Sequence, residues 1–273
     1  MAIITMTRGS LSATARVVEK LSERLGYRAL SREEAISYAE KHGIEEFRLG
    51  SPNCMENQPP KLWDRHAAQR HHYLVILKAA LMDFVVEGNL IYHGNLGQYI
   101  LSDVPKLLRI RVDADFDSRV RFLMEERGLT RSEAEAHIAD IDTRRTRWVK
   151  FLYGLDFTDS ANYDLILNMA KLSPDMMADV IADLITRGNL TVNDKDRHRL
   201  RDLHLESIVQ AHLVRSPRTR GMQLEVSADS ETGEVIISGI EPMLGTDIWQ
   251  RDIREVAAGI EGVSKLSLRV SQG

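Results

Sequence analysis

The chain has 273 residues, with 36 Lys and Arg against 40 Asp and Glu and a formal net charge of −4. Hydrophobic residues at 43% and charged residues at 28% are ordinary globular usage, which excludes wholesale disorder, a fibrous repeat and a chain-wide polyanion binder. The one cysteine, Cys54, can form neither an internal disulfide nor a thiolate zinc site, which points to a reducing compartment.

Ile3-Ile4-Thr5-Met6 reads as a short buried strand, with no basic segment and long apolar core of the secretory type around it. Ser12 to Leu25 then sets Ala13, Val17, Val18, Leu21 and Leu25 at helical spacing, with Gly26 as the stop. A strand entering a helix through a short loop opens many α/β nucleotide-binding folds. Ser31 with Glu34 is a capping box for a second helix, and residues 48–60, holding Gly50, Pro52, Pro59 and Pro60, form a long loop. The most apolar stretch, Leu74 to Tyr92, is broken by Lys78, Asp83 and Glu87. It falls short of the roughly 20 apolar residues of a membrane span, so a buried helix and a strand Asn89–Tyr92 are expected, in a cytoplasmic protein.

Leu107 to Val112 is a further strand, and Asp115 and Asp117 mark the start of the next helix. Thr130 with Glu133 caps a long Arg-rich helix carrying Ala134, Ile138, Ile141, Arg145 and Trp148. Asp164-Leu165-Ile166-Leu167 is a short strand, and Ser173-Pro174 starts a helix that stops at Gly188. Strands alternating with helices predict a parallel sheet covered on both faces. Residues 189–201 are polar and read as a linker, so a chain ending at Gly188 is expected to fold by itself. After it come a helix (203–213), two strands (222–228 and 234–239) around a turn at Asp229 to Gly233, a helix (249–259) and a strand (265–270).

Ile4-Thr5-Met6-Thr7-Arg8, Glu19 to Tyr27, Ser31-Arg32-Glu33, Gly94 ahead of Tyr99-Ile100-Leu101, Asp103-Val104-Pro105, Asp142-Thr143-Arg144-Arg145 and Tyr163 to Asn168 stand in the order found in a known kinase family. Through them the first two-thirds of the chain resembles the cytidylate kinase-like family of P-loop nucleoside monophosphate kinases. Gly233 to Gly239, with Ile253, Val256, Ala257 and Gly262-Val263, resembles a BON domain. The expected architecture is therefore an α/β kinase-like domain over 1–188, a linker over 189–201 and a small α+β BON-like domain (αββαβ) over 202–273. The resemblance implies a five-stranded parallel sheet, a nucleotide ligand, and ATP with Mg²⁺ if the protein is active. The tail implies a protein or lipid partner.

The family's phosphate loop is glycine-rich. Here Leu11-Ser12-Ala13-Thr14 stands in its place, and no Gly is followed by Lys anywhere in the chain. Arg8, Gly9, Ser10, Ser12 and Thr14 are the residues left to hold donor phosphates, although Leu11, Ala13 and Thr14 put Cβ atoms where backbone would approach. Relatives carry Gly-Arg where this chain has Gly94-Asn95. Asn95 supplies no charge, and His93 could supply some when protonated. With Asp142 and Arg145, which share a helix face, His93, Gly94 and Asn95 make up the implied acceptor site.

Arg127, Arg131 and Arg144 are the implied catalytic lid, neutralising charge on a transferred phosphoryl group. Each assignment has a plainer counterpart. His93 and Asn95 could merely satisfy backbone, Asp142 and Arg145 could be a solvated ion pair, and the lid arginines could be a solvated face balanced by Glu125, Glu126, Glu133 and Glu135. His66 and His71 lie roughly 500° apart around a helix, so no protein-bound metal is expected. The basic residues Arg197, Arg199, Arg201, Arg215, Arg218 and Arg220 lack interleaved aromatics, so no specific nucleic acid is expected. A homo-oligomer is left open. Two functions follow: phosphoryl transfer to CMP or dCMP, or a non-catalytic nucleotide sensor or scaffold whose tail engages a partner.

Overall fold

The computed structural model describes residues 1–8, 11–41, 67–94, 96–188, 190–240, 242 and 245–271. The described residues of 1–34 and 88–191 form one compact unit, and those of 35–41, 67–87 and 192–271 form a second. The loop expected over 48–60 lies outside the described residues.

The first unit is built on a parallel sheet of β1 (Ile3–Arg8), β2 (Arg28–Ser31), β3 (Leu90–His93), β4 (Leu107–Asp113) and β5 (Leu165–Asn168) in the order β2-β3-β1-β4-β5. β2 escapes sequence periodicity because it is four residues long and only Leu30 is buried. The helix α1 (Leu11–Leu25) leads from β1 to β2, and α7 (Pro174–Arg187) follows β5.

One core cluster joins Ile4 and Met6 of β1, Ile110 and Val112 of β4, Val17, Val18 and Leu21 of α1, and Met177, Ile181 and Ile185 of α7. The period of two in the strands and of 3.6 in the helices delivers these side chains to one layer. Arg24 of α1 pairs with Asp179 and Asp175 of α7 at the layer's edge. Between the strands lie α4 (Gly97–Ile100), α5 (Phe116–Arg127) and α6 (Arg131–Tyr153). Asp115 caps α5, and the predicted Thr130/Glu133 capping box opens α6.

In the second unit, α3 (Ala67–Glu87) and α8 (Asp194–Arg215) share a cluster of Ile76, Ala80, Ala211 and Val214, which also takes Ala39 of α2 (Arg32–Lys41). β6 (Leu224–Asp229) pairs antiparallel with β7 (Glu234–Ile240), and β7 pairs parallel with β8 (Lys265–Ser271). α9 (Thr246–Ala257) crosses between β7 and β8, burying Trp249 and Ile253 against Val235, Ile237 and Leu205. The expected order of helix, two strands, helix and strand is present as α8-β6-β7-α9-β8.

The linker expectation needs correction. Residues 194–201 are the opening turns of α8, closed by a capping box of Asn193 and Asp196. Their charges are the exposed start of a helix whose buried face begins at Leu200.

Candidate functional site

In an open α/β sheet the ligand crevice opens at the carboxyl ends of the strands, where chain connections leave in opposite directions. Here β1 connects toward the β2 side and β4 toward β5, so the crevice falls between β1 and β4. At that end Thr7 stands beside Arg111 and Arg8 beside Val112. α1 starts three residues after β1 ends and carries no acidic residue in its first turn. The positive end of a 15-residue helix is thus not offset by a first-turn carboxylate.

Of the expected phosphate-binding residues, Arg8 ends β1 and Ser12 lies in the first turn of α1, while Gly9 and Ser10 lie outside the described residues. Thr14 is fully buried, so its side chain faces protein.

On the acceptor side, Asn95 lies outside the described residues, and His93 ends β3 half-buried. Gly94 donates its N–H to the Met6 carbonyl at 3.3 Å. A Cβ on Gly94 would sit 2.6 Å from Tyr92 Oη, so close packing against a buried ring accounts for that glycine. Leu96, the residue before α4, has φ +68°, a left-handed conformation that costs a leucine about 1–2 kcal/mol.

α6 carries Asp142 and Arg145 one turn apart, both half-buried. The Asp142 carboxylate, however, is gripped by Arg119 of α5, whose Nη1 and Nη2 each donate at 2.7 Å. Arg119 is 13% exposed against 42% for Asp142, so the partner lies deeper than the carboxylate it holds. Sequence reasoning missed Arg119. Its only signal was a position four residues past the Asp115 cap.

The expected catalytic arginines are not gathered into one cluster of free charge. Arg131 is matched by Asp117 at 2.5 Å and Glu135 at 2.7 Å, and these hydrogen bonds, Asp117 first, raise its pKa. Arg144 pairs with Asp140 at 2.5 Å on its own helix. Arg127 is exposed in the last turn of α5.

A buried polar chain under the crevice was also not anticipated. Thr7 Oγ1 donates to Gln98 Oε1 at 2.9 Å, Gln98 Nε2 donates to Tyr163 Oη at 3.4 Å, and Tyr163 Oη donates to the Phe157 carbonyl at 3.0 Å. Arg111 lies over the rings of Phe157 and Tyr163, at 5.5 and 5.7 Å, and donates to Asp113 at 2.6 Å. Tyr99 stacks on Tyr153 with centroids 4.9 Å apart. Burial, with a further contribution from Tyr99, pushes the Tyr153 phenol up to about 12 and raises Tyr163 as well. Thr7, next to the last residue of β1, is thereby tied through Gln98 of α4 to Tyr163.

A model of the cytidylate kinase-like family matches residues 3–171. The chain belongs to the cytidylate kinase-like family. It is similar to the cytidylate kinase of Pyrococcus horikoshii, 25% identical over 182 residues that cover 63% of this chain and 82% of that protein. It is also similar to the cytidylate kinase of Sulfolobus acidocaldarius, 31% identical over 106 residues, which are 38% of this chain and 57% of that protein. An uncharacterized protein of known structure from Eubacterium ventriosum shares the fold at a TM-score of 0.50 and 21% identity, over 68% of this chain and 98% of that one. The matched residues of this cytidylate kinase-like chain span the whole five-stranded sheet, β1 through β5.

Proposed function

We propose that the kinase-like region transfers a phosphoryl group from a nucleoside triphosphate, with Mg²⁺, to a pyrimidine monophosphate such as CMP or dCMP. The observation that carries the reading is the entry of the central strand β1 into the N-terminus of α1, with no first-turn carboxylate to repel phosphate. In this reading Arg8, Gly9, Ser10, Ser12 and Thr14 hold donor phosphates, chiefly through backbone amides. His93, Gly94, Asn95, Asp142 and Arg145 place the acceptor, with Arg119 holding the Asp142 carboxylate in position. Arg127, Arg131 and Arg144 draw toward the phosphates, which requires Arg131 and Arg144 to exchange their carboxylate partners. Mg²⁺ would supply charge neutralisation on the donor phosphates.

A second reading, a non-catalytic nucleotide sensor whose BON-like tail binds a partner, is favoured by those same matched arginines and by the absent lysine. ADP release in the presence of ATP, Mg²⁺ and CMP, dCMP or UMP separates the two. Turnover is expected, and Arg145→Ala should reduce it roughly 10²-fold. CMP binding by calorimetry without ADP above background would leave the sensor. An Arg145→Ala protein with unchanged CMP affinity would remove Arg145 from the acceptor site.

A further inference from the structure

Outside the kinase-like sheet, three potential metal ligands converge where α8 meets the β6–β7 turn. His198 and Asp202 stand at i and i+4 on α8, and Asp229 ends β6. One ligand atom from each lies within 4.8 Å of the others. His198 Nε2 is 3.5 Å from Asp202 Oδ2. A tetrahedral ion bound at about 2.0–2.1 Å sets its ligand atoms roughly 3.3 Å apart, so this edge is already close to the spacing an ion needs.

The carboxylates are held as ligands are usually held, through their outer oxygens. Asp202 Oδ1 accepts from the Ser230 N–H at 2.8 Å and from Ser230 Oγ at 2.7 Å. Asp229 Oδ1 accepts from the N–H groups of Glu231 at 2.9 Å and Thr232 at 3.2 Å. Each aspartate keeps its second oxygen for another partner.

Asp202 is 7% exposed, and no hydrogen bond reaches its Oδ2. An anionic oxygen on a largely buried side chain, facing an imidazole and taking no hydrogen bond, is open to a cation at that point. On the other side of the ring, His198 Nδ1 is buried and 3.2 Å from Glu231 Oε1, without the alignment of a hydrogen bond. Arg201 reaches the same Glu231 carboxylate at 3.7 Å. Three carboxylates thus surround one imidazole and one arginine, leaving the cluster short of positive charge.

We propose that His198, Asp202 and Asp229 bind one divalent transition-metal ion of the Zn²⁺ class, with Glu231 at the rim and water completing the shell. One imidazole nitrogen beside two carboxylate oxygens favours Zn²⁺, Co²⁺ or Mn²⁺ over Ca²⁺ and Mg²⁺. The ion would fasten the β6–β7 turn to α8, so its effect is on the stability of the second unit and is independent of phosphoryl transfer.

The test uses the full chain, freed of metal with a chelator and kept without nucleotide, titrated with Co²⁺ by absorption and with Zn²⁺ by calorimetry and thermal unfolding. One site per chain and a Zn²⁺-dependent rise in Tm are expected. His198→Gln should weaken Zn²⁺ binding by at least about tenfold and abolish the Tm rise. His212→Gln, on the same helix but outside the cluster, should leave both unchanged. Absence of binding by the native chain, or equal binding by His198→Gln, would overturn the site and leave His198 as an ion-pair partner. NMR of the native protein decides without any variant: Zn²⁺ must perturb the His198 imidazole nitrogens ahead of those of the other histidines.

Discussion

Arg119 and Asp142 show how a single side chain can change the meaning of a motif. The sequence puts Asp142 and Arg145 on one helix face, and the helix does carry them there. Yet Asp142 spends both oxygens on Arg119, a residue 23 positions earlier that no spacing rule connects to it. The contacts of Tyr99, Tyr153 and Tyr163 are likewise invisible to spacing. Burial disfavours the charged tyrosinate, so the folded Tyr153 pKa lies near 12 against an ordinary 10.0. Its contribution to stability is therefore fully present below pH 10 and is lost as pH rises from there toward about 12. Stability measured by urea unfolding between pH 8 and pH 12 should fall most steeply in that upper window. Tyr153→Phe, which keeps the stacked ring, should flatten the fall, and an unchanged slope would mean that Tyr153 does not carry it.

Elements were legible where a local chemical signal marks their ends. Thr130 with Glu133, Ser31 with Glu34 and Ser173-Pro174 all cap helices as the sequence predicts, because each cap is a bond between residues three apart. α8 begins about nine residues earlier than its apolar pattern suggests, since Asn193/Asp196 is a box built from residues that also typify linkers. α4 depends on something no local signal provides. A Cβ on Gly97 would lie 2.6 Å from Tyr92 Cδ1 and 3.3 Å from Thr5 Cγ2, so the helix can approach β1 only with glycine there. Gly97→Ala is expected to cost about 1–3 kcal/mol in chemical denaturation. Gly221→Ala, with nothing within 4 Å of its added Cβ, should stay within about 0.5 kcal/mol. Equal effects from the two would show that the packing against Tyr92 does not constrain the loop.

At the scale of the whole molecule the two units are not consecutive in the chain. α3 precedes β3, β4 and β5 in the chain yet clusters with α8, through Ile76 and Ala80 against Ala211 and Val214. A chain ending at Gly188 would therefore lose the partner of that apolar face, contrary to the expectation drawn from the linker composition. Such a truncation should be poorly soluble or show a lowered Tm with exposed hydrophobic surface, read by dye binding. A monomeric truncation with the native Tm would instead support independent folding of 1–188.

What the sequence determined alone was the part governed by near neighbours and by ordered motifs: the alternation of strands and helices, most helix starts, the family, and the lack of any glycine followed by lysine. The tertiary structure decided which charges meet. Arg119 reaches Asp142, Gln98 joins Thr7 to Tyr163, and Asp229 arrives beside His198 and Asp202, each across 23 to 91 positions of chain. Periodicity assigns a side chain to a face, but the partner on that face is set by how separate elements pack. The function of a charged residue depends on that partner.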